Sequence, residues 1–111
     1  MKIYPAIDLN KGRCVRLQQG EVARETVFYE DPGQPAEIWR DHGAEWVHVV
    51  DLEGAFNGTP CNQEAIQRIL SSGMKVQVGG GIREASTIRE YLRMGASRVI
   101  IGTRACEDPE F

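Results

Sequence analysis

The sequence has few of the residues that build disulfide frameworks and metal centres. It contains two histidines and three cysteines, Cys14, Cys61 and Cys106, and no C-x-x-C pair. An odd number of widely spaced cysteines argues against a disulfide scaffold. Two isolated histidines are too few to suggest a metal site by themselves. We therefore expect three reduced thiols and no bound metal.

Long apolar runs and an excess of basic charge are missing as well. No stretch approaches the roughly 20 apolar residues of a membrane span, and no apolar signal segment follows Met1. The net charge is −3 at pH 7, whereas nucleic-acid-binding domains usually carry a basic stripe. We expect a soluble cytoplasmic protein that binds neither membranes nor nucleic acids.

The 111 residues, 41% of them apolar and 26% charged, fit one ordinary globular domain. Short apolar runs predict four strands, at residues 2–7, 46–50, 75–78 and 98–101. Helical spacing of apolar residues predicts three helices, at residues 34–42, from the N-cap Asn62 to Leu70, and at 85–94. The run 46–50 is of the kind buried on both faces of a parallel sheet. Residues 13–18 and 26–29 are expected to be two arms of an extended excursion in a long first loop.

This alternation of strands and helices predicts an α/β fold with parallel strands joined by right-handed crossovers. Two architectures fit: a small open sheet, or half of a TIM (β/α)8 barrel, which takes about 250 residues in full. The alternation of strands and helices is not complete at Phe111, because residues 105–111 resemble the approach to another helix. We interpret residues 1–111 as a single N-terminal half-barrel, with the first and fourth predicted strands as its open edges.

Polar and glycine residues follow the predicted strands directly. They are Asp8, Asp51, the triplet Gly79, Gly80 and Gly81, and the pair Gly102 and Thr103. In parallel α/β folds the strand ends share one face, which carries the active site. Glycine has no Cβ and accepts positive φ, so the triplet can present bare N–H groups to an anion. It is not a full G-x-G-x-x-G, and a tight turn is the alternative to a phosphate site.

Four side chains have both a functional and a structural interpretation. Asp8 is a carboxylate base or nucleophile, or else it orders a turn or caps a helix. Asp51 binds ligand or orders its loop. His48 shares a strand face with Val50, and it is either a ligand-binding group in a barrel interior or a core histidine with its hydrogen bonds satisfied. Arg16 closes over an anionic substrate or is a solvated loop arginine.

Four ordered motifs resemble the amino-terminal half of the HisA family of histidine-biosynthesis isomerases. They are residues 5–9 with 12–20, 43–56, 77–83 and 99–103, and together they extend over essentially the whole chain. The sister cyclase family, HisF, shares the barrel, but its first strand typically reads closer to Cys-Leu-Asp than to Ala6-Ile7-Asp8. It also lacks the run of residues 51–56.

The resemblance implies an Amadori-type aldose–ketose isomerisation of ProFAR, a ribonucleotide with a phosphate at each end, without cofactor or metal. It implies that Asp8 is the general base at ribose C2 and that Arg16 contacts substrate. The glycine triplet, with Gly102 and Thr103, matches the amino-terminal phosphate site, and His48 and Asp51 are further candidate substrate contacts.

In that family the general acid and the second phosphate site come from the other half-barrel. We therefore expect the chain to be inactive alone, and to pair with a second copy or with a carboxy-terminal half. One alternative is a half-barrel that binds sugar phosphates without catalysis. Another is a dual-specificity relative that also isomerises phosphoribosylanthranilate.

Overall fold

The computed structural model describes the backbone of residues 5–18 and 21–101. It also describes the side chains of these residues, except those of 16–18 and 21–28. In this part of the chain there are six strands and four helices. The elements in chain order are β1 (Ala6–Asn10), β2 (Arg13–Gln18), β3 (Glu21–Tyr29), α1 (Gly33–Asp41), β4 (Trp46–Asp51), α2 (Leu52–Asn57), α3 (Gln63–Leu70), β5 (Lys75–Gly79), α4 (Ala85–Met94) and β6 (Arg98–Val99). None of these helices is long and apolar enough to cross a membrane.

All strands belong to one sheet in the order β3-β2-β1-β4-β5-β6. The strands β1, β4, β5 and β6 are parallel neighbours, and they correspond to the four strands predicted from the sequence. Helices α1, α3 and α4 lie within a residue of their predicted bounds. The predicted α/β class with parallel βα units is confirmed, and it is consistent with part of a TIM barrel.

The excursion predicted after the first strand is an antiparallel hairpin, β2–β3, that extends the sheet. Strand β2 pairs with the outer side of β1 from Asp8 to Asn10. The expectation that the first strand is an open edge is therefore wrong over these residues. Within the described residues the sheet ends at β3 on one side and at β6 on the other. Asp8 also lies inside β1, because pairing continues to Asn10.

Helix α2 is not among the helices predicted from the sequence. Asp51 occupies its N-cap position, where the carboxylate accepts a hydrogen bond from the Gly54 N–H. Gly58 ends the helix in a left-handed conformation, with φ at +80°. Six residues are too few to form a stable helix alone, so the turn depends on its caps at both ends.

The core lies between one face of the sheet and helices α1, α3 and α4. Strand β4 shows the division clearly, because Val47, Val49 and Asp51 are buried while the alternate residues are half-exposed. The expectation that this strand is buried on both faces is therefore wrong. The buried face packs against α3 residues such as Ile66 and Ile69.

Tyr91 of α4 is the largest fully buried side chain among the described residues. Its hydroxyl finds no hydrogen-bond partner there. Burial, followed by the nearby charges of Asp51 and Cys61, raises the Tyr91 pKa far above its usual range. The ring thus packs well, while its polar atom is desolvated without compensation.

We expect Tyr91→Phe to raise the free energy of unfolding by about 1 kcal/mol, because it removes an unpaired buried hydroxyl and keeps the ring. Chemical denaturation followed by circular dichroism measures the change. Tyr91→Leu is the matched control, and it should destabilise the protein because it removes the ring as well. A loss of stability in Tyr91→Phe would show that the hydroxyl has a partner in solution.

Candidate functional site

Asp8 and His48 lie on the face of the sheet that the helices leave uncovered, which we call the open face. Strands β1 and β4 pair in parallel with Ala6 opposite His48 and Asp8 opposite Val50. Asp8 and His48 are therefore diagonal neighbours on one side of the sheet, and both are half-buried. The structure brings these two predicted site residues together.

The environment of Asp8 suits a carboxyl group that exchanges a proton. Partial burial raises the Asp8 pKa above its usual value, and the charge of His48 partly offsets that rise. The stabilisation from a raised pKa is complete below the pKa of the unfolded chain and is lost as the pH rises through the folded value. Ionised Asp8 therefore costs stability at neutral pH.

Gln77 is the site residue that sequence reasoning missed. It lies opposite His48 on the neighbouring strand β5, and its Nε2 is 2.9 Å from Nδ1 of His48. The signal was present in the sequence as an amide between Val76 and Val78. With strand alternation, a polar residue at that position belongs to the half-exposed face.

At the other end of the open face two cations flank an indole ring. The Arg98 guanidinium carbon lies 4.5 Å from the centre of the Trp46 ring, and Lys75 Nζ lies 5.6 Å from it. Such contacts stabilise a cation over an aromatic face. Neither cation forms a salt bridge with another described residue.

Asp51 lies on the opposite, buried face of the sheet and is fully inaccessible to solvent. Its Oδ1 accepts hydrogen bonds from Gly54 N at 2.8 Å and from Asn62 Nδ2 at 2.6 Å. Its Oδ2 accepts from Cys61 N at 2.7 Å and from Asn62 N at 3.1 Å. The structure thus separates Asp51 from Asp8 and His48, and the four donors fix the connection between β4 and α3.

Asn62 extends this network to the turn after β1. It occupies the N-cap position of α3, as predicted, but its side chain makes no capping bond. Instead its Oδ1 accepts from Gly12 N at 2.8 Å, and its Nδ2 also donates to Glu53 at 3.1 Å. Glu53 in turn accepts from Lys11 N. The strand that carries Asp8 is thereby joined to the Asp51 network.

The glycine triplet follows β5 and packs its backbone against the Asp51–Gly54 turn. Gly80 and Gly81 have φ of +103° and +75°. A Cβ on Gly80 would collide with the backbone oxygen of Asp51, and one on Gly81 would lie 2.6 Å from the Gly54 oxygen. The N–H groups of Gly80 and Gly81 donate to no acceptor in the described part of the chain.

The remaining candidates are not described by the structure. Gly102 and Thr103 lie outside the described residues, and so does the side chain of Arg16, whose backbone belongs to β2. Within residues 5–18 and 21–101, no group of three or more histidine, cysteine, aspartate or glutamate side chains is arranged to hold a metal ion.

A family model described as "Histidine biosynthesis protein" matches residues 2–111. The chain belongs to this histidine biosynthesis family. A relative from Opitutus terrae is 52% identical over 111 residues, all of this chain, and one from Nitratidesulfovibrio vulgaris is 51% identical over 99% of it. A third, from Thiobacillus denitrificans, is 54% identical over the whole chain.

These three members of the histidine biosynthesis family are named as imidazole-4-carboxamide isomerases, and the name of their substrate contains two 5-phosphoribosyl groups. The matched region is 46%, 46% and 45% of their respective lengths. The chain therefore spans about half the length of the curated relatives it matches. The family resemblance inferred from the motifs is confirmed.

Asp51→Asn should lower the free energy of unfolding by about 3 kcal/mol, because the amide turns one acceptor into a donor that faces N–H groups. Urea denaturation measures the loss. Asp41→Asn is the matched control, since Asp41 is exposed and its carboxylate forms an ion pair and a hydrogen bond only with Arg40 among the described residues. That control should change stability by no more than about 0.5 kcal/mol. Equal effects would contradict a structural role for Asp51.

Gly81→Ala should destabilise the fold by at least about 2 kcal/mol. The cost of a positive φ in alanine adds to the cost of the collision between its Cβ and the Gly54 backbone. Gly43→Ala isolates the first effect, since Gly43 has φ of +96° and nothing within 4 Å of an added Cβ. We expect a loss of about 1 kcal/mol there. Thermal and urea unfolding of both variants measure the difference, and a smaller loss at Gly81 would contradict the close packing.

Proposed function

We propose that the chain supplies the half of an aldose–ketose isomerase site that carries the base, acting on ProFAR in histidine biosynthesis. The observation that carries the proposal is the half-buried Asp8 carboxyl beside His48 on the open face. The names of the curated relatives support the reaction class and the substrate. An enzyme of this pathway is expected to work in the cytoplasm.

Asp8 acts as the general base that removes the proton from ribose C2. A general base works best when its pKa lies near the operating pH, and burial moves Asp8 in that direction. His48 lies beside it on the same face and is available to contact a substrate oxygen. Asp51 contributes by holding the loops around the site, because its own oxygens are already occupied by four donors.

The glycine triplet takes one of the two phosphates. Gly80 and Gly81 have unused N–H donors, and the N-terminus of α4 follows at Ala85. Backbone N–H groups and a helix N-terminus together favour an anion. On the family resemblance alone, we assign Gly102 and Thr103 to the same phosphate site and Arg16 to a contact with the substrate.

The second phosphate and the general acid require a partner, namely a carboxy-terminal half-barrel or a second copy of this chain. The open face supports such a partner, because Ile100 is 43% exposed and the cations Lys75 and Arg98 have no carboxylate beside them among the described residues. Without the acid, acid–base catalysis loses a factor of about 10²–10⁴. The chain alone is therefore a poor isomerase.

Complementation tests this proposal directly. The chain is assayed for ProFAR isomerisation alone and after co-expression with the carboxy-terminal half of the Opitutus terrae relative. We expect turnover in the mixture only, and a loss of about 10²–10⁴-fold with Asp8→Asn. Asp41→Asn makes the same charge change at an exposed position and should leave turnover intact. Asp8→Asn should also be at least as stable as the parent, so unfolding cannot explain its inactivity.

Titration with inorganic phosphate, followed by amide resonances, tests the anion site separately. Shifts concentrated at Gly80 and Gly81 support it, and their absence would refute it. Strong turnover by the chain alone, or an Asp8→Asn mixture as active as the control, would overturn the catalytic proposal. Phosphate binding with an inactive mixture would favour the half-barrel that only binds sugar phosphates.

A further inference from the structure

The two histidines of the chain have opposite hydrogen-bonding environments at the same ring nitrogen. Nδ1 of His42 lies 2.7 Å from the carbonyl oxygen of Ile38, whereas Nδ1 of His48 lies 2.9 Å from the amide nitrogen of Gln77. A carbonyl oxygen can only accept, and an amide nitrogen can only donate. Nδ1 therefore donates in His42 and accepts in His48.

We propose that Gln77 is a positioning residue that holds His48 as the tautomer with its hydrogen on Nε2. The contact joins neighbouring strands, since His48 and Gln77 are directly opposite in the parallel β4–β5 pair. Both side chains are half-buried, so the hydrogen bond is partly shielded from competing water. Strand register thus places the Gln77 amide beside the His48 ring, and the amide nitrogen that faces Nδ1 selects the tautomer.

The consequence is a hydrogen-bond donor at a defined place on the open face. Nε2 of His48 has no partner among the described residues, so its hydrogen remains available. Asp8 is the diagonal neighbour, and its pKa responds to His48. A substrate oxygen next to the carbon that Asp8 deprotonates would accept from this N–H group.

The same arrangement gives the site a division of labour. Asp8 accepts the proton from C2, the electrons of that bond pass to the nitrogen on C1, and His48 holds the C2 hydroxyl in place by donating a hydrogen bond to its oxygen. The opposite tautomer would present a lone pair there, which could only accept from that hydroxyl and would turn it the other way. This use of the donor rests on the proposed function, whereas the tautomer itself is a property of the chain alone.

Nitrogen-15 NMR of the 111-residue chain measures the tautomers without substrate or partner. Long-range correlations between ring nitrogens and ring protons identify the protonated nitrogen, at a pH above the usual imidazole titration range. We expect the hydrogen on Nε2 for His48 and on Nδ1 for His42, which serves as the internal reference. A His48 ring with its hydrogen on Nδ1 would overturn the proposal.

Two variants test whether Gln77 is the cause. Gln77→Glu keeps the shape and replaces the donor with an acceptor, so the hydrogen should move to Nδ1 of His48. Gln77→Met removes the donor and should leave a mixture of tautomers. The His42 signals should not change in either variant, which also reports that the fold is intact. A His48 spectrum unchanged in Gln77→Glu would refute the role of Gln77.

The result is distinguishable from failure of the proposed function. An Nε2–H tautomer that depends on Gln77, together with an inactive complementation mixture, would refute the isomerase and leave this inference standing. An active mixture with His48 in the Nδ1–H form would support the isomerase and refute this inference.

Discussion

The carboxylate of Asp51 is the interaction on which the rest of the site depends. It is fully buried, and its two oxygens accept from Gly54, Cys61 and twice from Asn62. A buried charge is tolerated only when its hydrogen bonds are satisfied, and here the donors come from both ends of the β4–α3 connection. Because the turn held in this way also packs against Gly80 and Gly81, the shape of the glycine loop follows from the Asp51 network.

Strand alternation separates this structural carboxylate from the one proposed for chemistry. Asp51 is the last residue of β4 and Asp8 is the middle residue of β1, and their side chains occupy opposite faces of one sheet. The buried face gives Asp51 four donors. The open face gives Asp8 partial burial and a histidine neighbour, which leaves its carboxyl free to exchange a proton. Asn62 connects Asp51 to the strand that carries Asp8, because it bonds Asp51 and the turn that follows β1.

Most of the fold could be predicted from the sequence, because apolar runs and glycine stops mark β4, β5, α1, α3 and α4. Helix α2 could not, since its six residues are helical only through the buried cap at Asp51 and the left-handed Gly58. The pairing of β2 with the edge of β1 was also not predicted, because no local sequence pattern shows which strand the β2–β3 hairpin will pair with. For the site, strand alternation predicted that His48 shares a face with Val50, and the structure places both on the half-exposed face of β4. The role of Gln77 was missed although it begins the 77–83 motif, because its contact with His48 depends on the pairing register of β4 and β5.

The glycine triplet satisfies two requirements with one property. Lack of a Cβ lets Gly80 and Gly81 approach the Asp51–Gly54 turn, and it also leaves their N–H groups open to an anion. A substitution at either glycine therefore disturbs the packing before it can report on a ligand. Loss of phosphate binding in such a variant would not identify the phosphate site. That assignment has to come from the N–H groups themselves in the unaltered chain, where the packing is intact.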